Sequence, residues 1–456
     1  MRLWRVALTI AGSDSGGGAG IEADLKTFAA LGVHGTVAIT SVTAQNTYEV
    51  KAIHDIPPEV VEKQIDAIAE DMGVDAAKTG MLSNSDIIKA VARAVKRHGF
   101  PLVVDPVMIA KSGAPLLKPE AVKTLTEELL PLATLVTPNR MEAEKLSGLT
   151  IRSLDDAKKA AKKIAEEYGA EAVIVKGGHL EGDESIDVLY HNGVFREYRA
   201  PRIKDGCTHG TGCSFSAAIT AELAKGRSLE EAIEVAKKFI TMAIDYGVRV
   251  GKGYCPVNPM AWLEIPAEKE HAREVLEKAI DMLVSHGEIL SKYIPEVQMN
   301  IVQSISPRYA RGVEDVAGIL GRIVRYGATV KPAGPIAFGA SSHMARAVLA
   351  AMKHDPEIRS AANLRFDKRL LEAAEKLGFT ISSFDRRREP PEIKETEGAS
   401  IPWGIEEAAK RARGRIPDII YDEGDVGKEP QIRVFGRTAL EVAEKIIKLL
   451  REAEKH

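Results

Sequence analysis

Roughly the first half of the chain alternates between short apolar runs and amphipathic segments. Residues 6–10, 36–42, 103–104, 135–137 and 172–175 are compact stretches rich in Val, Ile, Leu and Ala that run into Gly, Pro, Asp or Asn. Buried parallel strands read this way where they open into loops. Between them, Val61, Ile65, Ile68 and Met72 recur at i, i+4, i+7 and i+11, the spacing of one helical face. Such alternation predicts an α/β domain, a mainly parallel sheet flanked by helices. Residues 187–190 and 194–195 flank His191-Asn192-Gly193 and predict a hairpin with an Asn-Gly turn. Further helices are expected from Ser214 and from Ser228, the second burying Leu229, Ile233 and Ala236.

Periodicity lapses across residues 251–266, which are rich in Gly and Pro, and the domain junction is placed there. The expected domains are 1–265 and 266–456. A charged amphipathic helix is expected over 267–294, then a second, smaller α/β domain. Its candidate strands are 298–305, 336–338, 380–384 and 416–421, and its candidate helices 313–326, 343–354, 368–377 and 438–455.

Composition narrows the picture. Hydrophobic residues make up 45% of the 456 and charged residues 28%, with a net charge of −3, the profile of a globular protein without a broad basic surface. Nucleic-acid binding is therefore not expected. The apolar start, MRLWRVALTIAG, is broken at once by Ser13, Asp14 and glycines, so neither a signal peptide nor a membrane span is expected. Three cysteines, Cys207, Cys213 and Cys255, form an odd and sparse set that argues against a disulfide framework or a zinc site. These features together suggest a cytoplasmic protein.

The chemistry centres on Thr208-His209-Gly210-Thr211-Gly212-Cys213, which opens a helix of small residues. Glycines let main-chain N–H groups converge, and a helix N-terminus adds unpaired donors and positive dipole character, so Thr208, Gly210, Thr211 and Gly212 make a candidate anion site. A plain turn that starts a helix explains the loop equally well when it is taken alone. Three further segments stand at predicted strand ends, where open α/β sheets bind ligands. One is the glycine-rich run 11–20, which lacks the Gly-Lys-Ser/Thr ending of a P-loop. The second is Asp105-Pro106-Val107-Met108. The third is Asn139-Arg140-Met141-Glu142, whose amide and carboxylate can organise Mg²⁺ around nucleotide phosphates, with Asp105 as the companion carboxylate.

Taken in order, AGSDSGGGAGIEADLKTFAALGVHG, SVTAQNT, KTGML, DPVM, TPNRMEAE, VKGGH and THGTGCSFSAAI resemble the ribokinase-like superfamily. Within it they are most similar to the bifunctional hydroxymethylpyrimidine and phosphomethylpyrimidine kinases of thiamine synthesis. The resemblance implies ATP as co-substrate with Mg²⁺. It implies a pyrimidine pocket formed by Gln45 and the Gly12 main chain, completed by Ala19, Asp24, Met81 and Val107. It also implies that Asn139, Glu142, Lys176 and Thr208 face ATP and Mg²⁺. Cys213 departs from the wider superfamily, where an aspartate base occupies this position. A helix N-terminus can lower a thiol pKa, so Cys213 is expected to assist deprotonation of the pyrimidine alcohol. The alternative is a small cysteine packing the helix start.

In the second region, Gly339-Ala340-Ser341-Ser342-His343-Met344-Ala345-Arg346 follows an apolar run and precedes a helix. Ser341 and Ser342 are good N-caps, which suffices to explain them. The functional reading is a phosphate site at the helix N-terminus, with His343 and Arg346 supplying charge or protons. Asn363 and Arg365 in NLRFD, and Asp425 and Lys428 in DEGDVGKEP, offer further polar groups. The run Arg386-Arg387-Arg388 is expected to be solvated surface. With the segment from Arg311, the motifs GASSHMARA, NLRFD and PDIIYDEGDVGKEP resemble the archaeal-type ThiN thiamine-phosphate synthase domain. That resemblance implicates Arg322 and His343 in catalysis. It implies coupling of the pyrimidine diphosphate with thiazole phosphate and release of diphosphate. Small-molecule partners and a homo-oligomer are expected. The competing reading is a pyridoxal-type kinase fused to a non-catalytic pyrimidine-diphosphate sensor.

Overall fold

The computed structural model describes residues 3–177 and 182–455, so Gly178 and His179 of the VKGGH motif lie outside the described residues. Two compact units divide the chain, Met1–Leu263 and Glu264–His456.

The first unit carries nine strands: β1 (Val6–Asp14), β2 (His34–Gln45), β3 (Val50–Asp55), β4 (Ala76–Thr79), β5 (Leu102–Val104), β6 (Leu135–Val136), β7 (Ala172–Val175), β8 (Glu184–His191) and β9 (Val194–Pro201). They form one sheet in the order β3-β2-β1-β4-β5-β6-β7-β8-β9. Pairings from β2 through β7 are parallel, and β3, β8 and β9 join antiparallel. Alternation across the pleat sends Leu8 and Ile10 to one face and Ala7 to the other. The first face packs against the helices Pro58–Asp71, Ser85–His98 and Leu154–Tyr168 through Val61, Ile65, Val91 and Ile164. The second packs against Gly20–Ala30, Thr211–Ala224 and Leu229–Asp245 through Phe28, Phe215, Ile233 and Phe239. Met72, expected on the buried face of its helix, is instead exposed just past the helix end. The β8–β9 turn places Asn192 (φ 51°) and Gly193 (φ 76°) in left-handed conformations, as a two-residue hairpin of this hand requires.

The second unit is built on β10 (Ile301–Ser304), β11 (Val316–Ile319), β12 (Ile323–Tyr326), β13 (Thr329–Pro332), β14 (Ile336–Phe338), β15 (Ser360–Arg365), β16 (Ile381–Ser383), β17 (Ile419–Asp422) and β18 (Gln431–Gly436). Seven of these form a sheet in the order β14-β11-β10-β15-β18-β17-β16, antiparallel except for β16–β17, while β12 and β13 form a separate ribbon. The helix expected over 313–326 is replaced by a single 3-10 turn, Val313–Asp315, followed by β11 and β12. The β-branched residues Val316, Ile319, Ile323 and Val324 favour strands, and Gly321 (φ 73°) with Arg322 (φ 71°) turns the chain between them. The helix expected over 267–294 runs instead over Ala261–Ser285, with Pro266 inside it.

Cys207 and Cys255, not expected to be bridged, form a disulfide with Cα atoms 4.9 Å apart across a sequence separation of 48. Spacing along the chain could not reveal it, because only the fold brings the two together. The bridge stands beside the glycine loop: His209 N–H donates to the Cys255 carbonyl at 3.1 Å, and Val257 N–H donates to the His209 carbonyl at 3.0 Å. A crosslink closing a loop of this size contributes about 4 kcal/mol in the chain-entropy picture. Scanning calorimetry with and without excess dithiothreitol should therefore show the first unit melting several degrees lower when reduced. An unchanged melting temperature would argue that the bridge is not formed in solution.

Candidate functional site

In the first unit, the ends of β1, β5, β6 and β7 each present a polar group to the same region. Asp14 closes β1, and its carboxylate accepts the main-chain N–H groups of Gly16 (2.8 Å), Gly18 (3.2 Å) and Ala19 (2.8 Å). The glycine run is thus wrapped around its own aspartate. The same carboxylate meets His209 Nε2 at 3.1 Å. Burial opposes ionisation of Asp14, but the His209 contact and the main-chain donors outweigh it and lower its pKa. The two glycine loops also interlock. A side-chain carbon at Gly18 would overlap the His209 ring, and one at Gly210 (φ 81°) would overlap the Gly18 carbonyl.

The helix Thr211–Ala224 starts at Gly210 with no side-chain cap, so its first-turn N–H groups keep no intrahelical acceptor. Under this start lies an ion pair, Lys176 Nζ to Asp105 Oδ1 at 2.9 Å, with Thr137 Oγ1 donating to the same oxygen at 3.1 Å. Gly212 lies directly against it, since a side-chain carbon there would stand 3.2 Å from Lys176 Nζ and 3.4 Å from Asp105 Oδ2. Burial disfavours the Lys176 ammonium, but Asp105 and Glu142 more than compensate and raise its pKa. Asn139 and Glu142 form a capping box: Glu142 N–H donates to Asn139 Oδ1 at 3.0 Å and Asn139 N–H donates to Glu142 Oε2 at 2.8 Å. The spacing read as a metal pair is therefore also what starts the helix Arg140–Ser147. Burial, against the opposing charge of Lys176, pushes the Glu142 carboxyl up to about 7.

Of the expected pyrimidine residues, Gly12 and Met81 are adjacent, a side-chain carbon at Gly12 falling 3.1 Å from Met81 Sδ. Gln45 is tied to the first glycine loop, its carbonyl accepting Ser15 Oγ at 2.8 Å. Ala19 is held by Asp14, and Val107 N–H donates to the Asp105 carbonyl at 2.8 Å. Thr208 is exposed, and its carbonyl accepts Thr211 Oγ1 at 2.8 Å. Asp24 does not reach the surface. It is fully buried, accepts Thr9 Oγ1 at 2.6 Å and holds the equally buried Lys78 at 3.0 Å. It holds Lys78, the lysine of KTGML, a residue for which no role was expected. Burial weakens the ammonium, and the Asp24 charge restores and raises it, while burial also raises the Asp24 carboxyl against the pull of Lys78. Cys213 departs from expectation too. Burial pushes its thiol up to about 11, although Lys78 works in the other direction. A thiol with that pKa is ionised in only about one molecule in ten thousand at neutral pH.

In the second unit a cavity of about 420 Å³ gathers Arg322, Ser341, Ser342, His343, Arg346, Asn363 and Lys428 from the expected set. Two expected residues do not line it: Arg365 pairs with Asp367 at 3.7 Å, and Asp425 pairs with Lys394 at 3.1 Å. Ser341 occupies the N-cap of the helix Ser342–His354, yet its side chain makes no cap bond, so capping does not account for it. Arg322 holds a left-handed backbone and donates to the Val297 carbonyl, strain of the kind that collects at working sites. Arg386 is not solvated surface. It is buried, lines the cavity and bonds Asp422 through Nε at 2.6 Å. Asp422 also receives Arg433 Nη1 at 2.8 Å, and both partners are fully buried. A charged residue inside the apolar run of β18 is the one sequence signal that could have exposed Arg433. His343 is exposed at the cavity, and desolvation by the groups around it, with the Arg433 and Arg386 charges, lowers its pKa to about 3.

Glu142 yields a stability test. Its folded pKa, about 7, lies above the ordinary 4.5, so its neutral form contributes stability that is complete at acid pH and lost as pH rises through 7. The expected loss is about 3 kcal/mol by pH 8. Glu142→Gln keeps the capping acceptor and should abolish the decline, so melting curves of the two proteins should diverge between about pH 5 and 8. Parallel curves would show that Glu142 is ionised throughout.

The comparisons bear on both units. Residues 14–258, more than half of the chain, match the phosphomethylpyrimidine kinase family, and residues 275–448 match the thiamine-phosphate synthase ThiN family. The hydroxymethylpyrimidine/phosphomethylpyrimidine kinase of Bacillus subtilis is 52% identical over 258 residues, 56% of this chain and 95% of that protein. The thiamine biosynthesis bifunctional protein ThiED of Geobacter sulfurreducens is 48% identical over 252 residues, 55% of this chain and 51% of that protein. Among solved structures, the ADP complex of Bacillus subtilis pyridoxal kinase aligns with a TM-score of 0.53 and 42% identity, covering 57% of this chain and 98% of that one. Staphylococcus aureus pyridoxal kinase with AMP-PCP and pyridoxal aligns with a TM-score of 0.53 and 39% identity, covering 57% and 95%. The chain belongs to the phosphomethylpyrimidine kinase family, with a ThiN domain fused behind the ribokinase-like kinase.

Proposed function

We propose that the first unit phosphorylates 4-amino-5-hydroxymethyl-2-methylpyrimidine with ATP, first to the monophosphate and then to the diphosphate. The second unit then joins that diphosphate to thiazole phosphate, forming thiamine phosphate and releasing diphosphate. The observation that carries the kinase reading is the uncapped helix start at Gly210 seated over the Lys176–Asp105 pair. Main-chain donors and an ammonium converge where a transferred phosphoryl group gathers charge, and such stabilisation is the main lever in phosphoryl transfer. Relatives bound to ADP and AMP-PCP support a nucleotide as co-substrate.

Burial raises the Glu142 pKa against the pull of Lys176, and the neighbouring Asp105 carboxylate adds to the rise. A site rich in carboxylate oxygen suits a hard divalent cation, and these two residues would hold Mg²⁺ arriving with the nucleotide. That ion would supply charge neutralisation on the phosphates. Gly12, Gln45, Met81 and Val107 bound the pyrimidine. Cys213, as a thiol, hydrogen-bonds the reacting oxygen, and the helix start stabilises the charge that develops. The second transfer needs less base catalysis, because its nucleophile is already an anionic phosphate oxygen.

In the second unit, Arg322, Arg346 and Lys428, with Ser341 and Ser342 at a helix N-terminus, receive the diphosphate. The aminopyrimidine ring stabilises a methylene cation as that anion leaves, and the cationic cavity holds the departing charge. The solved pyridoxal kinases favour one second reading, in which pyridoxal is the alcohol phosphorylated.

One assay separates these readings. Purified full-length chain is given hydroxymethylpyrimidine, ATP, Mg²⁺ and thiazole phosphate, and products are followed by chromatography. Thiamine phosphate is expected, and His343→Ala should abolish it while both phosphorylations continue. Phosphorylation of pyridoxal alone would overturn the kinase assignment. Accumulation of the pyrimidine diphosphate without coupling would overturn the synthase assignment.

A further inference from the structure

Behind His343 stands a buried group of charges that the proposed coupling does not by itself require. The Asp422 carboxylate on β17 holds two guanidinium groups, Arg386 (Nε at 2.6 Å, Nη2 at 3.3 Å) and Arg433 (Nη1 at 2.8 Å). Both guanidinium groups also lie near the Phe384 ring, at 5.4 and 5.6 Å from its centre. Arg433 is thereby anchored through Nη1 and stacked near a ring, and its Nη2 has two contacts, Gln431 Oε1 at 3.3 Å and His343 Nε2 at 3.4 Å. A guanidinium has donors only. The ring nitrogen facing it must therefore carry the lone pair. Among the described residues, Nδ1 of His343 makes no hydrogen bond with the protein.

We propose that Arg433 is a positioning residue: anchored by Asp422, it engages His343 Nε2 and holds the imidazole as the neutral tautomer with its proton on Nδ1. Nδ1–H is then available as a hydrogen-bond donor to an anionic ligand in the cavity. His343 accordingly acts through a fixed hydrogen bond and not as an acid that delivers a proton. The inference rests on the coupling activity for its meaning, though not for its geometry.

The charges around the ring agree. Besides desolvation, Arg433 from β18, Arg386 from the turn after β16 and Arg322 from the turn before β12 all disfavour an imidazolium, and Asp422 favours one. His343 also lies in the first turn of the helix Ser342–His354, where the helix dipole opposes added positive charge. A cavity built to bind an anion gains from this arrangement, because the donor is present at every working pH and carries no proton that must be replaced after each turnover.

The test is long-range ¹H–¹⁵N correlation spectroscopy on full-length protein labelled at histidine nitrogen, with His343→Gln identifying the signal. The wild type should show the Nδ1–H pattern and hold it down to about pH 5, well below the ordinary imidazole range. Arg433→Met should release the ring to a mixed or Nε2–H tautomer that titrates at a higher pH. Coupling should fall roughly tenfold or more and acquire a pH dependence in kcat that the wild type lacks, while the kinase rates stay unchanged. Arg433→Lys, which restores a donor, should recover the tautomer. An Nε2–H pattern in the wild type, titration near the ordinary imidazole value, or an unchanged tautomer in Arg433→Met would each overturn the proposal. Should Arg433→Met not fold, the wild-type tautomer decides alone. Absence of thiamine phosphate with the Nδ1–H pattern intact would sink the coupling reading and leave the positioning role standing.

Discussion

The ion pair between Lys176 and Asp105 is the contact on which the first unit's site depends. It ties the end of β7 to the end of β5, takes Thr137 from the strand between them, and forms the floor on which Gly212 rests. Each partner alone would be a costly buried charge, and together they are tolerated because the geometry is close and a third donor is present. The pair also sets the state of its neighbours. Glu142 titrates where it does because burial is only partly offset by Lys176, and Asp105 adds repulsion. One electrostatic centre thus decides where the helix start sits and how much negative charge the edge of the sheet carries before any ligand arrives.

Much of this was legible in the sequence, for reasons that can be named. Parallel strands buried on both faces are continuous apolar runs, and β1, β5, β6 and β7 were visible on that account. Helix starts with strong caps were visible too, as at Ser228. What stayed hidden depended on contacts distant along the chain. Asp14 could be seen as a residue of the glycine run, but not as its centre, since that needs the loop folded back on itself. Asp24 and Lys78 are 54 positions apart and meet only where the helix Gly20–Ala30 packs on the sheet. The disulfide escaped for the same reason. In the second unit, β15 and β18 carry polar residues at inward positions and so lack a clean apolar signature. The helix expected over 313–326 failed because its β-branched residues favour strands and the left-handed Gly321 and Arg322 turn the chain between them.

The two sites handle charge differently. The kinase edge balances carboxylates against lysines, and the nucleotide must complete it. The second cavity is unbalanced from the start, with guanidinium groups outnumbering the one aspartate behind His343. That excess is affordable only because Asp422 is shared, its two oxygens serving two arginines at once. An arginine triplet that looked like solvated surface divides its labour: Arg386 turns inward to this carboxylate, while Arg387 and Arg388 remain outside.

The interlock of Gly18 with His209, and of Gly210 with the Gly18 carbonyl, bears on how such an enzyme can change over time. Neither loop has room to acquire a side chain unless the other retreats, and Asp14 bonds to both. The two loops therefore form a single heritable unit. A lineage that drifts toward a different alcohol substrate must alter residues around this contact and leave the contact itself in place.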